Sequence, residues 1–156
     1  MKKFIITAVL AAMPLLGFAQ KEFDQFEDKD GIDSVIIREK LMDILGNIEI
    51  SGTEEAKGYL DNVKSMESLR VFTTKDRQYA MEMETTVASY LKKKRMDELM
   101  SVNSDGKNVK IYTVSGTEPS DIKELLLLSK DAKENEVVLV TFVGDISLKN
   151  KKTTTN

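Results

Sequence analysis

Among its 156 residues the chain has no cysteine, no histidine and no tryptophan. Without cysteine there can be no disulfide, no thiol redox chemistry and no acylated N-terminal cysteine of the lipoprotein kind. Without both cysteine and histidine there is no zinc site of ordinary composition, and no Ser-His-Asp or Cys-His nucleophile. Any catalysis would have to run on Asp, Glu, Lys, Tyr or Ser. No excess of one charge is present either: 23 basic residues stand against 26 acidic ones, a net of −3. That balance favours solubility and argues against nucleic acid as a partner, since binding to phosphates needs a basic surface.

What is present begins with a leader. Lys2 and Lys3 precede an apolar run from Phe4 to Leu16, broken late by Pro14, and Gly17-Phe18-Ala19 places small residues at the −3 and −1 positions of a cleavage site. This is the three-part layout of a secretory signal peptide, and the run is shorter than the roughly 20 apolar residues that span a bilayer. The reading expects residues 1–19 to be a signal peptide, with no transmembrane segment left after cleavage. Gln20 becomes the first residue of a periplasmic or secreted protein, cyclised to pyroglutamate. Removing 19 of 156 residues leaves 137, with 21 basic against 26 acidic residues. A chain of that length suits one domain and can bury roughly two thirds of its unfolded surface, so it needs no covalent staples.

Periodicity then divides the chain. Glu22 to Asp30 is polar and acidic, with Phe23 and Phe26 three apart; it reads as a leader or short helical turn whose two rings dock on the domain, ended by Gly31. Ser34-Val35-Ile36-Ile37 has the β-branched content of a strand, followed by helical spacing from Arg38 to Leu45, although one helix from Ser34 to Leu45 fits equally well. Thr53 can cap a second helix with Ala56, Tyr59, Leu60 and Val63 on one face. Leu69 to Thr73 alternates as a strand. Lys75 to Arg95 is the longest helix, with Tyr79, Ala80, Met83, Val87, Tyr90 and Leu91 as its stripe and Lys92 to Arg95 at its carbonyl end. Beyond it the period becomes 2. Met96 to Val102 and Val109 to Val114 are strands joined through Asn103-Ser104-Asp105-Gly106, a hairpin signal. Ile122 to Ser129 and Val137 to Val143 form a second pair. The expectation is an α+β fold: a mostly antiparallel sheet with helices packed on one face, in the order βααβα then four strands. The organisation is residues 1–19 signal peptide, 20–30 polar leader, 31–149 a single α+β domain and 150–156 a disordered tail.

The last pair is too apolar on both sides for a sheet with one face in water. Both strands are therefore expected to be central or helix-covered, with Val138, Val140 and Phe142 on one face and Val137, Leu139 and Val143 on the other. One face should meet the long helix through Met83, Val87 and Leu91. The other has to be covered by the N-terminal segment, a partner or a second copy.

The succession resembles the domain-of-unknown-function family 4252, small exported proteins of Bacteroidota. The residues that carry the resemblance are Phe23 to Phe26 with Lys29-Asp30-Gly31, Ser34 to Ile37, Ser68 to Thr73, Asp97 to Tyr112 (DELMSVNSDGKNVKIY), and IKELLLL with EVVLVTFVGDISL. Leu99 to Tyr112 is the most specific stretch, and the start FAQ is common in that phylum. The resemblance implies an exported α+β domain with no established activity. It also implies genes near those of extracytoplasmic-function sigma factors, and so an envelope-signalling or stress role by association. Many relatives look like lipoproteins; this chain departs from them in lacking the acylated cysteine.

Individual motifs favour structural readings. Asp28-Lys29-Asp30-Gly31-Ile32-Asp33 fails as a calcium loop: with Gly31 at the sixth position, Phe26 and Ile37 occupy the two anchoring positions that require oxygen ligands. Lys92 to Arg95 reads as a helix cap before a phosphate or headgroup patch. Glu82 and Glu84, two apart, point to different sides of a helix and are not the paired carboxylates of glycoside hydrolysis. Met42, Met66, Met83, Met96 and Met100 read as core filling, and Met81 as outward-facing. No catalytic, cofactor-binding or metal residue is assigned. The expected function is a non-enzymatic binding or interaction module of the cell envelope, linked to sigma-factor or stress signalling, whose partner is a protein or a small apolar ligand. The alternatives are a homo-oligomer, a hydrolase or lyase using carboxylates or Lys-Tyr chemistry, and a small lipid or peptide carrier.

Overall fold

The computed structural model describes residues 20–40 and 63–148. A 3-10 helix, Lys21–Phe26, is followed by strands β1 (Asp33–Arg38) and β2 (Val63–Thr74), helix α1 (Arg77–Lys94), and strands β3 (Asp97–Ser104), β4 (Lys107–Ser115), β5 (Asp121–Asp131) and β6 (Glu136–Ser147). The six strands form one sheet in the order β1-β2-β6-β5-β4-β3, and every neighbouring pair is antiparallel. Strands β3 to β6 are a meander. Pairing of β6 with β2 joins it to β1, and α1 carries the chain over one face from β2 to the far edge at β3.

Local chemistry accounts for the element ends. Asp76 caps α1: its carboxylate accepts from the backbone N–H of Gln78 at 2.8 Å and of Tyr79 at 3.1 Å, satisfying two of the helix's orphan donors. Arg95, at φ 52°, ends it. Asp105 and Gly106 both have positive φ, 52° and 80°, which lets a two-residue turn follow the twist of β3 and β4. Asp131 accepts from the amides of Lys133 and Glu134 and so holds the β5–β6 turn.

The core lies on one side of the sheet. Phe72, Leu126, Val137 and Leu139 rise from it to meet Met83, Val87 and Tyr90 of α1 and Phe23 and Phe26 of the 3-10 helix. Phe26 meets Phe72 edge-on, with centroids 5.9 Å apart. The two leader rings are wholly buried. The last pair of strands is central, as its apolar content requires: β6 lies between β2 and β5, and β5 between β6 and β4. The face bearing Val137 and Leu139 is the one that meets α1, with Leu91 packed against the same cluster.

The described residues do not support the order βααβα with four further strands. The fold is β-rich, and α1 is the one α-helix that lies wholly within the described residues. Residues 33–38 are a strand, which overturns the single-helix alternative for that stretch; Ser34 pairs with Phe72 and Ile36 with Arg70. Glu39 and Lys40 are helical, while the rest of the helix expected over 38–45 lies outside the described residues. So does the second expected helix, except for its last residue: Val63 opens β2, which is 12 residues long and not the five expected. The reason is long-range. Strand β6 reaches Ser147, and its C-terminal end pairs with β2 as far as Val63, a source of backbone hydrogen bonds that helical spacing cannot reveal. The expected tail at 150–156 also lies outside the described residues.

Candidate interaction face

Because side chains alternate across a strand, the residues between the core positions share the opposite face. The strand registers align Val35, Val71, Val140, Leu127, Ile111 and Met100 in one row that crosses all six strands. Beside it run Ile37, Leu69, Phe142 and Leu125 on one flank, and Val138, Val109 and Val102 on the other. The 3-10 helix and α1 lie on the other side, and among the described residues no helix covers this face, although Phe142 is itself only 6% exposed. Val35 is 58% exposed, and Met100 and Val102 are each 44% exposed. Met100, expected in the core, is therefore on the bare face. All eight residues of the edge strand β3 are exposed. Asp33 and Asp97 stand at opposite edges of this face, both exposed and neither in an ion pair with a described residue.

The helix-covered side carries a buried polar cluster instead. Arg70 of β2 shares the phase of Phe72 and is only 3% exposed. Its guanidinium donates to the Gln20 carbonyl at 2.6 Å, to Asp24 Oδ1 at 2.6 Å and to Glu27 Oε1 at 3.2 Å. Glu124 of β5 accepts from the Tyr90 hydroxyl, and Lys94 Nζ lies 3.6 Å from its other oxygen. Burial pushes the Tyr90 phenol far up, and its hydrogen bond to the Glu124 carboxylate pushes the same way. Tyr90 is thus held protonated as a donor, the opposite of what a tyrosine base requires. The cluster fastens the leader to the sheet.

Solvent-open hollows lie elsewhere, among them one along the outer side of α1 between Gln25 and Thr86 and one of about 770 Å³ beside the β5–β6 turn. Polar and charged side chains predominate in both, and neither is lined by Arg70, Tyr90 or Glu124.

The motifs singled out in the sequence fall apart in space. Glu82 pairs with Lys29 at 2.8 Å and Glu84 with Lys130 at 3.0 Å, on different sides of α1. Lys93 pairs with Glu22 and Lys94 with Glu124, so the basic run ties the helix end to the leader and to β5. The run at 28–33 is the turn into β1, with positive φ at Asp28 and Gly31. Met66 and Met83 are buried, Met81 is 63% exposed, and Met42 lies outside the described residues. Gln20, Arg70 and Glu124 were missed. The available signal was phase: Arg70 is two residues from Phe72 and Glu124 two from Leu126, so each is a charge at a core position of its strand.

Among the described residues the geometry defines a two-layer domain, one antiparallel sheet with the 3-10 helix and α1 on one face and an apolar face that no described element covers. Residues 26–152 match the family model described as Domain of unknown function (DUF4252), and the chain belongs to that family. No curated protein and no solved structure matches it. No helix among the described residues is long and apolar enough to cross a membrane.

Proposed function

We propose that this domain is a non-enzymatic interaction module of the cell envelope, exported by the leader at 1–19, and that it binds a partner protein through the bare face of its sheet. The observation that carries the reading is the unbroken apolar row from Val35 to Met100. Six strands at about 4.8 Å spacing and three side-chain rows give a footprint on the order of 500 Å². That is at the upper end of the apolar patches monomers expose, and more than half of the roughly 800 Å² that one side of a standard interface buries. A small ligand needs a concave site that encloses it; this face is a broad sheet surface. Asp33 and Asp97 at its two edges favour a partner with basic side chains around an apolar centre over a second copy bearing the same two acids. A regulator of an envelope stress pathway is the finer form of this proposal, supported by the gene neighbourhood that the family resemblance implies.

The test places a photo-crosslinker at Leu127 and, as a control, at Met81 on the outer side of α1. A protein captured from Leu127 and not from Met81 is then purified and the complex rebuilt from the two components. Leu127→Lys should weaken that complex at least tenfold, and Met81→Lys should leave it unchanged. A stable dimer by light scattering, or bound lipid in native mass spectrometry, would put a different occupant on the face and overturn the proposal.

A further inference from the structure

Strand β3 is an outer edge of the sheet: β4 lies on one side of it, and among the described residues no strand lies on the other. All of its residues are exposed, so its outward backbone N–H and C=O groups form a row of donors and acceptors facing water. Such a row is a template for another strand, and proteins blunt it with lysine, proline, short length or bulges. β3 has eight residues and neither lysine nor proline. Its one register shift lies between Glu98 and Met100, which leaves Met100 to Ser104 in unbroken pairing with β4. The opposite edge differs: β1 has six residues with a charge at each end, and its Arg38 is tied to Glu27 at 3.1 Å.

The side chains of β3 sort between two faces. Met100 lies opposite Ile111 and Val102 opposite Val109, on the bare face, whereas Ser101 and Asn103 lie opposite Lys110 and Asn108, on the other. Leu99, Met100 and Val102 are three of the six large apolar residues that are exposed among those described. Charge gathers at one end. Asp97 has no ion pair with a described residue, and Glu98 lies 3.9 Å from Lys110 Nζ, the outer limit for a pair.

We propose that the partner joins the sheet at β3: an extended segment of it pairs antiparallel with this edge as a further strand. Backbone chemistry sets the class of occupant, since another extended main chain matches alternating donors and acceptors along the whole edge. The two faces of β3 set its side chains, apolar beside Met100 and Val102 and polar beside Ser101 and Asn103. Asp97 and Glu98 call for arginine or lysine at the C-terminal end of the segment, which antiparallel pairing brings to the start of β3. The added strand continues the apolar row from Val35 to Met100 onto the partner. The inference therefore rests on the interaction-module reading and names the form in which that partner docks.

The probe is a synthetic peptide of about eight residues, the length of the edge, alternating valine and threonine and ending in arginines. It is titrated into the protein exported from the full chain, and amide hydrogen exchange is read by NMR. Exchange should slow at the outward amides of β3 and stay unchanged at β1. Two versions of the peptide carry N-methyl groups on every second amide, one in each phase. The phase facing β3 should bind about tenfold or more weaker because it loses several edge hydrogen bonds, and the phase facing water should bind as the parent does. Asp97→Lys, at an exposed position, should weaken binding about threefold or more. Equal binding by both methylated peptides, protection at β1 instead of β3, or no binding at millimolar peptide overturns the inference. So does a dimer whose β3 amides are protected without peptide. If a partner is captured from Leu127 while the peptide fails at β3, the interaction reading stands and the strand addition alone falls. No capture from Leu127 overturns both.

Discussion

Arg70 and Gln20 lie 50 residues apart, and the Arg70 guanidinium donates to the Gln20 carbonyl at 2.6 Å within the core. The same guanidinium reaches Asp24 and Glu27, so one side chain of β2 meets three acceptors of the leader. Arg70→Met leaves the buried Gln20 carbonyl without its donor and takes from Glu27 one of its two cationic partners, the other being Arg38 at 3.1 Å. The expected loss is about 3–5 kcal/mol in urea unfolding, the range for breaking a buried ion pair from one side. Asp24 is 56% exposed, and Asp24→Ala should lose less than about 1 kcal/mol because water screens and replaces its pair.

The two faces of the sheet should respond differently to truncation. Leu139 is wholly buried beneath α1, so Leu139→Ala should cost about 2–5 kcal/mol. Val35, on the bare face and mostly exposed, should cost less than about 0.5 kcal/mol when replaced by Ala. A large loss at Val35 would show that a further segment of this chain covers the face in solution.

Gly144 is a point of close approach. A Cβ there would stand 2.9 Å from Met66 Cα and 2.8 Å from Phe142 Cζ, and closer still to the Ser65 carbonyl oxygen. Two of those three neighbours are backbone, where the β2–β6 register shifts. They cannot swing aside as a side-chain end could. Gly144→Ala should lower stability by about 1–3 kcal/mol, the usual penalty for overpacking, read as a drop in Tm.

Acid should destabilise the protein through specific carboxylates. The hydrogen bond from Lys29 holds Glu82 below its ordinary 4.5, and the amides of Glu134 and Lys133 hold Asp131 below its ordinary 3.8. Folded values below unfolded ones mean stability that is present above those ordinary values and is lost as pH falls through the folded ones. A Tm that is level from pH 5 to 7 and falls progressively below about pH 4.5 is expected. Asp131→Asn should flatten part of that fall, and a Tm unchanged down to pH 3 would contradict it.

How far the sequence could be read depended on the range of the interactions involved. The α1 stripe, the Asp105-Gly106 turn and the two leader rings are legible because each is local: spacing along a few turns, positive φ at two adjacent residues, two aromatics in a polar stretch. The full length of β2 was not, because its first half is a strand by virtue of pairing with β6, and Val63 alone fits a helical face as well as a strand. Met100 and Met83 are the same residue type in apolar patterns, and only the register that sets Met100 opposite Ile111 shows that it faces out.

The near-continuous apolar runs of β5 and β6 by themselves determined that these strands are covered on both flanks or faces and that one face meets α1, because period 2 puts apolar side chains on both sides of such a run. Strand order and the bare face were decided by the tertiary structure. So were the meeting of Gln20, Arg70, Tyr90 and Glu124, groups from the leader, β2, α1 and β5. Alternation says that a charge at a core position needs a partner; only the fold brings that partner within hydrogen-bond distance.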